Sequence, residues 1–173
     1  MRASKLHLRT NYSYSFVNFI FKVSKMVIGE RFELEKDEEL RVEVELQNSE
    51  EHVFVELQTG IAEIFGTEMV IGTKYQFNHG AKFSVFTYHG CSLTVYGQNK
   101  GGSYQSKEHP MIQYLNVHSA LEDMRIEADK SDDPLKTGPK VMIVGPQDVG
   151  KTTLCQILVN YAVRQSRRPI FVG

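Results

Sequence analysis

Val141-Met142-Ile143-Val144-Gly145-Pro146-Gln147-Asp148-Val149-Gly150-Lys151-Thr152-Thr153 joins a short aliphatic run to a glycine-bounded loop. The run has the composition of a buried parallel strand. The loop has the spacing Gly-x-x-x-x-Gly-Lys-Thr, which is that of a phosphate-binding P-loop. Glycines at Gly145 and Gly150 let the backbone turn tightly and approach phosphate oxygens. Successive N–H groups then form an anion nest, and Asp148 and Val149 contribute mainly backbone geometry to it. Lys151 is placed to reach the β- and γ-phosphates, and Thr152 to ligate Mg²⁺ through its hydroxyl. Thr153 can bond the α-phosphate. Downstream, Leu154, Ile157, Leu158, Tyr161 and Ala162 mark one face of a helix beginning near Lys151. Its N-terminal dipole end adds to the anion site. Arg164, Arg167 and Arg168 crowd the other end and Pro169 stops it. Ile170-Phe171-Val172 then reads as a second strand. Residues 141–173 are therefore expected to be the truncated start of an α/β P-loop NTPase domain.

Upstream the pattern differs. Residues 129–140 are rich in charge, Pro and Gly and read as a linker. Before them, Met111, Tyr114, Leu115, His118, Leu121, Met124 and Ala128 recur at helical spacing behind Pro110. Residues 106–140 are thus a helix and linker. From Arg31 to Gly97 the period is two. Leu40, Val42, Val44 and Leu46 alternate with Arg41, Glu43 and Glu45. Val53, Val55 and Leu57 repeat it, and Phe83, Val85 and Thr87 continue it, with Leu93 and Val95 last. Ile61 to Phe65, between Gly60 and Gly66, is a further candidate strand. Turn signals such as Asn78-His79-Gly80 and His89-Gly90 separate the runs. Short strands at this spacing predict an all-β N-terminal sandwich over residues 30–105.

Bulk properties set few limits. The chain has 173 residues and a formal net charge of −1, so no global field points to a nucleic acid or a membrane. No apolar stretch reaches the roughly 20 residues that span a bilayer. Cys91 and Cys155 form neither a metal spacing nor a disulfide framework, and are expected to be buried free thiols. His79, His89, His109 and His118 do not make a metal spacing either. Residues 1–29 form a basic, acid-free extension, expected to be disordered. It has two readings: a mitochondrial targeting segment, or an extension without folded role before a start at Met26. The acidic cluster from Glu35 to Glu39 and the strand-opening Lys82 have the plain reading of solvated surface.

Longer strings carry a resemblance. Leu57-Gln58-Thr59-Gly60-Ile61-Ala62-Glu63-Ile64-Phe65-Gly66-Thr67-Glu68, then Gly80-Ala81-Lys82, Phe86-Thr87-Tyr88-His89-Gly90-Cys91 and the loop Gly145–Thr153 occur in fixed order. Together they resemble the Clp family of polynucleotide 5′-hydroxyl-kinase subunits of the nuclear pre-mRNA cleavage and polyadenylation machinery. The resemblance runs from about Arg31 to Val172. It implies a β-sandwich set against a P-loop kinase domain, with ATP at their junction. It implies that Glu39 and Lys82 read the adenine end, the carboxylate accepting from the amino group and the ammonium donating to a ring nitrogen. It implies transfer of the ATP γ-phosphoryl to an RNA 5′-hydroxyl with Mg²⁺. Implied partners are RNA ends, other cleavage and polyadenylation factors and the tRNA-splicing endonuclease, with no membrane and a nuclear location.

The chain departs from the family pattern by ending at Gly173, before the acidic strand end, the lid arginines and the RNA surface. This predicts a phosphate cradle without turnover. The functional expectation is an ATP-binding RNA 5′-hydroxyl-kinase subunit, present as a fragment or short form. The alternative is a non-catalytic ATP-binding scaffold of the 3′-end processing complex. A different P-loop enzyme, a GTPase or ATPase, is disfavoured by the sandwich ahead of the loop.

Overall fold

The computed structural model describes residues 29–48, 51–133 and 136–172. The basic extension, apart from Gly29, lies outside them, as do Pro134, Leu135 and Gly173. Among the described residues nine strands come first: β1 (Glu30–Leu34), β2 (Glu38–Glu43), β3 (Val53–Gly60), β4 (Glu63–Ile64), β5 (Thr67–Glu68), β6 (Lys74–Phe77), β7 (Lys82–Thr87), β8 (Cys91–Tyr96) and β9 (Ser103–Ser106). Two helices follow, α1 (Met111–Asp129) and α2 (Lys151–Arg164). The strands form a four-stranded sheet, β1-β8-β3-β6, and a five-stranded sheet, β5-β4-β7-β2-β9. All their pairings are antiparallel.

The alternation explains the sandwich. Leu40, Val42 and Val44 point inward from the five-stranded sheet, and Val53, Val55, Leu57, Leu93 and Val95 from the four-stranded one. All are buried, and they form one core with Val85 and Phe83. Cys91 lies in this core as a free thiol, and burial pushes its pKa up to about 11. Cys155 is only half-buried, contrary to expectation, because the side of α2 that carries it is incompletely covered.

The outer face of the five-stranded sheet holds the helices. Phe86 points outward and packs with Met111 of α1 and Ile157 and Tyr161 of α2. The β4–β5 hairpin completes this junction. Its two-residue turn has Phe65 at φ 50° and Gly66 at φ 77°, the positive pair that a tight hairpin needs. The turn lies directly on α2: a Cβ at Gly66 would meet the Ile157 carbonyl oxygen at 3.0 Å. Asn160 Nδ2 donates to the Phe65 carbonyl at 2.8 Å. The buried Glu63 carboxylate accepts a short hydrogen bond from the Tyr161 hydroxyl and an ion pair from Arg164 Nη1 at 2.8 Å. Tyr88 and Tyr161 hydroxyls meet at 2.9 Å. Burial holds the Tyr161 hydroxyl protonated well above the usual phenol range, with Glu63 adding to the shift. Arg167, just beyond α2, ties back to Glu122 and Asp129 of α1.

Three strand assignments read from the sequence differ from the structure. Ile61–Phe65 is not one strand, because only Glu63 and Ile64 pair and Phe65 turns the chain. Val141–Val144 and Ile170–Val172 are in no sheet, and Met142, Val144, Ile170 and Val172 are more than three-quarters exposed. A parallel strand is stabilised by neighbours along its edges and helices over its faces. Among the described residues these segments have only α1 and α2 beside them, around a cleft of about 780 Å³. Strands β1, β5, β6 and β9 were not separable as individual elements in the sequence, since they are short or largely polar. No helix among the described residues is long and apolar enough to cross a membrane.

Two outcomes follow for stability. Gly66→Ala places a Cβ at positive φ against the α2 backbone, so it is expected to cost about 1–3 kcal/mol in urea unfolding. His118 of α1 is buried against Tyr161, with ring centroids 5.3 Å apart. Burial, helped by Arg125, lowers its pKa from the ordinary imidazole value. The unfolded chain then takes up a proton that the folded chain refuses, so stability falls as pH drops through and below the ordinary imidazole pKa. Replacing His118 by Gln should flatten that limb of a stability–pH profile.

Candidate nucleotide site

The P-loop joins α2 through a left-handed step. Gly150 is the residue before the helix, with φ 81°, and Asp148 also has positive φ at 60°. Asp is among the side chains that tolerate this region, so the loop keeps its turn without a third glycine. A Cβ at Gly145 would sit 3.3 Å from Val149 Cγ2, so this end of the loop is close-packed on itself. The first intrahelical bond runs from the Leu154 N–H to the Gly150 carbonyl at 2.9 Å. No side chain caps the helix, and no acidic residue lies in its first turn. The leading N–H groups of Lys151, Thr152 and Thr153 therefore face solvent with their partial positive charge uncompensated. Lys151 curls over the loop, and its Nζ donates to the Pro146 carbonyl oxygen. These features fit a bound polyphosphate and a hard cation at the Thr152 hydroxyl.

The α2 N-terminus overhangs a second feature. A cleft of about 350 Å³ is lined by Thr153 on one side and by Arg41, Glu43, Lys82, Ser84 and Tyr104 of the five-stranded sheet on the other. The structure therefore brings Lys82 and the P-loop helix to one cleft. The Lys82 side chain is exposed and pairs with the Glu43 carboxylate directly across from it in the β2–β7 register. That contact raises the Lys82 pKa, which favours the charged form at the rim.

Glu39 sits differently. Its side chain is 4% exposed, and its Oε1 accepts Arg41 Nε at 2.6 Å. It does not line the cleft; Arg41 stands between. Arg41 and Tyr104 are cleft residues that sequence reasoning passed over. Arg41 was visible only as a charge alternating with aliphatics, and Tyr104 as an isolated aromatic in a polar strand. The order of exposure along β2 was not readable, because it depends on where the helices cover the sheet.

With this geometry the chain can be compared with known proteins. A sequence model described as the N-terminal beta-sandwich domain of polyadenylation factor matches residues 33–128. A second, described as the mRNA cleavage and polyadenylation factor CLP1 P-loop, matches residues 145–173. The chain belongs to the CLP1 family. It is 54% identical over 143 residues to a Drosophila grimshawi protein named CLP1 homolog, covering 83% of this chain and 32% of that relative. It is 53% identical over 142 residues to the Homo sapiens polyribonucleotide 5′-hydroxyl-kinase Clp1, covering 82% of this chain and 32% of that relative. The chain thus spans about a third of the length of these curated relatives. Among solved structures, a wild-type Clp1p–Pcf11p complex superposes with a TM-score of 0.66 at 26% identity, over 80% of this chain and 30% of the other. A second CLP1 family structure describes an extended Pcf11p–Clp1p interface and the basis of ATP loss in a point mutant. It gives 0.65 at 25% identity, over 80% and 31%. The family match establishes the sandwich followed by the start of a P-loop domain, and a P-loop domain implies nucleotide binding.

Lys151→Ala removes the only side-chain cation of the loop. A charge-assisted hydrogen bond is worth about 1.5–3 kcal/mol, so nucleotide affinity should fall roughly ten- to a hundredfold. Titration calorimetry with ATP and Mg²⁺ measures this; an unchanged affinity would remove the loop from the site.

Proposed function

We propose that this chain supplies the nucleotide-holding part of an ATP-dependent polyribonucleotide 5′-hydroxyl-kinase. The observation that carries the reading is the uncapped N-terminus of α2, with Lys151, Thr152 and Thr153, opening onto the cleft that holds Lys82. The human relative's name supports the activity, and the ATP loss described for a solved relative supports the nucleotide.

In this reading the loop N–H groups and Lys151 bind the phosphate tail, and Thr153 orients its α end. Thr152 holds Mg²⁺, which would neutralise charge developing on the phosphates. Lys82 stands at the rim of the cleft on the nucleoside side, and Glu39 is held behind Arg41. Transfer forms a bond between the RNA 5′-oxygen and the γ-phosphorus, breaks the β–γ bridge to release ADP, and sends the hydroxyl proton to a base. The described residues carry the holding and orienting functions. The proposed setting is nuclear mRNA 3′-end formation together with tRNA splicing. The partners are RNA 5′-hydroxyl ends, other cleavage and polyadenylation factors and the tRNA-splicing endonuclease. The solved Clp1p–Pcf11p complexes support the factor partnership.

Those complexes also favour a second reading, an ATP-binding scaffold, since a sandwich with its own core can hold partners without catalysis. The two separate on one assay, incubation of 5′-hydroxyl RNA with γ-labelled ATP. The 173-residue chain is expected to bind ATP and to leave the RNA unlabelled. A form spanning the relatives' full length should label it, and should lose this with Lys151→Ala. Binding without labelling by the full-length form supports the scaffold instead.

A further inference from the structure

The chain has two apolar clusters of unequal size. The larger is the sandwich core, whose buried residues include no histidine; His52 and His79 lie in loops outside it. The smaller consists of Phe86, Met111, Ile157 and Tyr161, edged by Phe65, Tyr88 and Tyr114, and it joins the two helices to the sheet. Less apolar area holds the helices down than holds the sandwich together. Opening at the junction therefore costs less than unfolding the sandwich, and the helical pair can leave as its own unit.

A titratable ring sits against the smaller cluster. His118 of α1 is buried, its ring centroid lies 5.3 Å from that of Tyr161, and its Nδ1 has no hydrogen-bond partner among the described residues. In an imidazolium both nitrogens are donors, so Nδ1 would become a buried N–H without an acceptor. The charged and titratable groups facing the ring are Glu122 and Arg125 on α1 and Tyr161 and Arg164 on α2. Behind Tyr161 stand Glu63 of β4 and Tyr88 of β7. Neither carboxylate is free to balance a new charge. Glu122 is held by Arg125 at 3.1 Å and by Arg167 at 2.6 Å. Glu63 is held by Tyr161 and Arg164. Burial, with Arg125 adding to it, therefore keeps the docked ring neutral.

We propose that protonation of His118 releases the α1–α2 pair from the outer face of the five-stranded sheet while the sandwich stays folded. The released ring reaches water and takes up the proton that the docked ring refuses. The docked state is thus fully favoured above the ordinary imidazole pKa and loses ground as pH falls through it. Helix α2 has 14 residues, which is marginal for an isolated helix, so its backbone loses protection once released. Release also carries Thr153 away from the Lys82 side of their shared cleft. His109, just before α1, is the competing site for acid. It is half-buried, its Nδ1 accepts from the Met111 N–H at 3.3 Å, and its Nε2 meets the Asp37 carbonyl at 3.0 Å.

The test is amide hydrogen exchange of the 173-residue chain at about pH 7.5 and about pH 5, corrected for the intrinsic exchange rate. Protection in α2 should fall roughly tenfold between the two, while β3 and β8 keep theirs within about twofold. In His118→Gln, which cannot take up the proton, the α2 loss should shrink to within about twofold. The carboxylate contacts are common to both chains, so the difference isolates the imidazole. Undiminished α2 protection at low pH in the unaltered chain would overturn the proposal. So would an equal loss in α2, β3 and β8, which would make the chain one cooperative unit. An α2 loss that persists in His118→Gln and disappears in His109→Gln would move the switch to the other end of α1 and overturn it as well. Should His118→Gln not fold, the ring signals of the unaltered chain decide by NMR. The His118 ring is expected to titrate below the ordinary imidazole value, and titration at or above that value overturns the proposal.

Discussion

The buried carboxylate of Glu63 holds the two halves of the chain in one relation. It comes from a two-residue strand at the side of the sandwich and meets the Tyr161 hydroxyl and the Arg164 guanidinium of α2. A buried carboxylate without partners is strongly destabilising, so each half needs the other at this point. The hairpin turn adds a steric constraint, with Gly66 against the backbone at Ile157 and the Phe65 carbonyl accepting from Asn160. Neither the turn nor the ion pair involves the P-loop. Yet a helix is a stiff rod, rising about 1.5 Å per residue. Fixing its C-terminal half at Tyr161 therefore fixes where its N-terminus and the phosphate cradle stand over the sheet.

One sheet face consequently serves two purposes. Where α2 and α1 lie on it, the outward residues are Phe86 and the covered Glu39. Where α2 ends, the outward residues are Arg41, Ser84, Tyr104 and Lys82, and a cleft opens. Apolar outward residues are stable only under the helix, and charged ones only beyond it or in pairs. The length and tilt of α2 thus divide the face into a docking part and a ligand part. Lys82 and Thr153, far apart in sequence, become neighbours through this division.

The legible parts of the sequence are those written in local periodicity or local chemistry. Leu40, Val42 and Val44 could be assigned to the core because alternation needs no knowledge of partners. The P-loop beginning at Gly145 could be recognised because its spacing encodes the backbone path. Phe65 could not be read as a turn residue, since an aromatic at positive φ goes against its own propensity and is held there by α2. Val141–Val144 and Ile170–Val172 carry strand composition, but composition cannot supply neighbouring strands. The fate of Glu39 was hidden for a related reason. On the strand it alternates as an exposed acid does, and only the helices above and Arg41 beside it make it a buried one. The side chain of β2 that reaches the cleft is Arg41, two residues on.

The kinase and scaffold readings share one physical basis. A nucleotide lying between Thr153 and the sheet face that carries Lys82 would touch both halves of the chain at once. It would then add its binding free energy to the same interface that Glu63, Tyr161 and Arg164 hold closed, by simple linkage. A protein in which ATP stabilises a junction between two bodies can use it as a substrate or as a structural clamp. The distinction does not lie in the cradle, whose loop, helix terminus and lysine are needed equally for both. It lies in whether a hydroxyl can be placed in line with the γ-phosphorus, and that depends on groups that would face the open side of the loop, away from the sandwich.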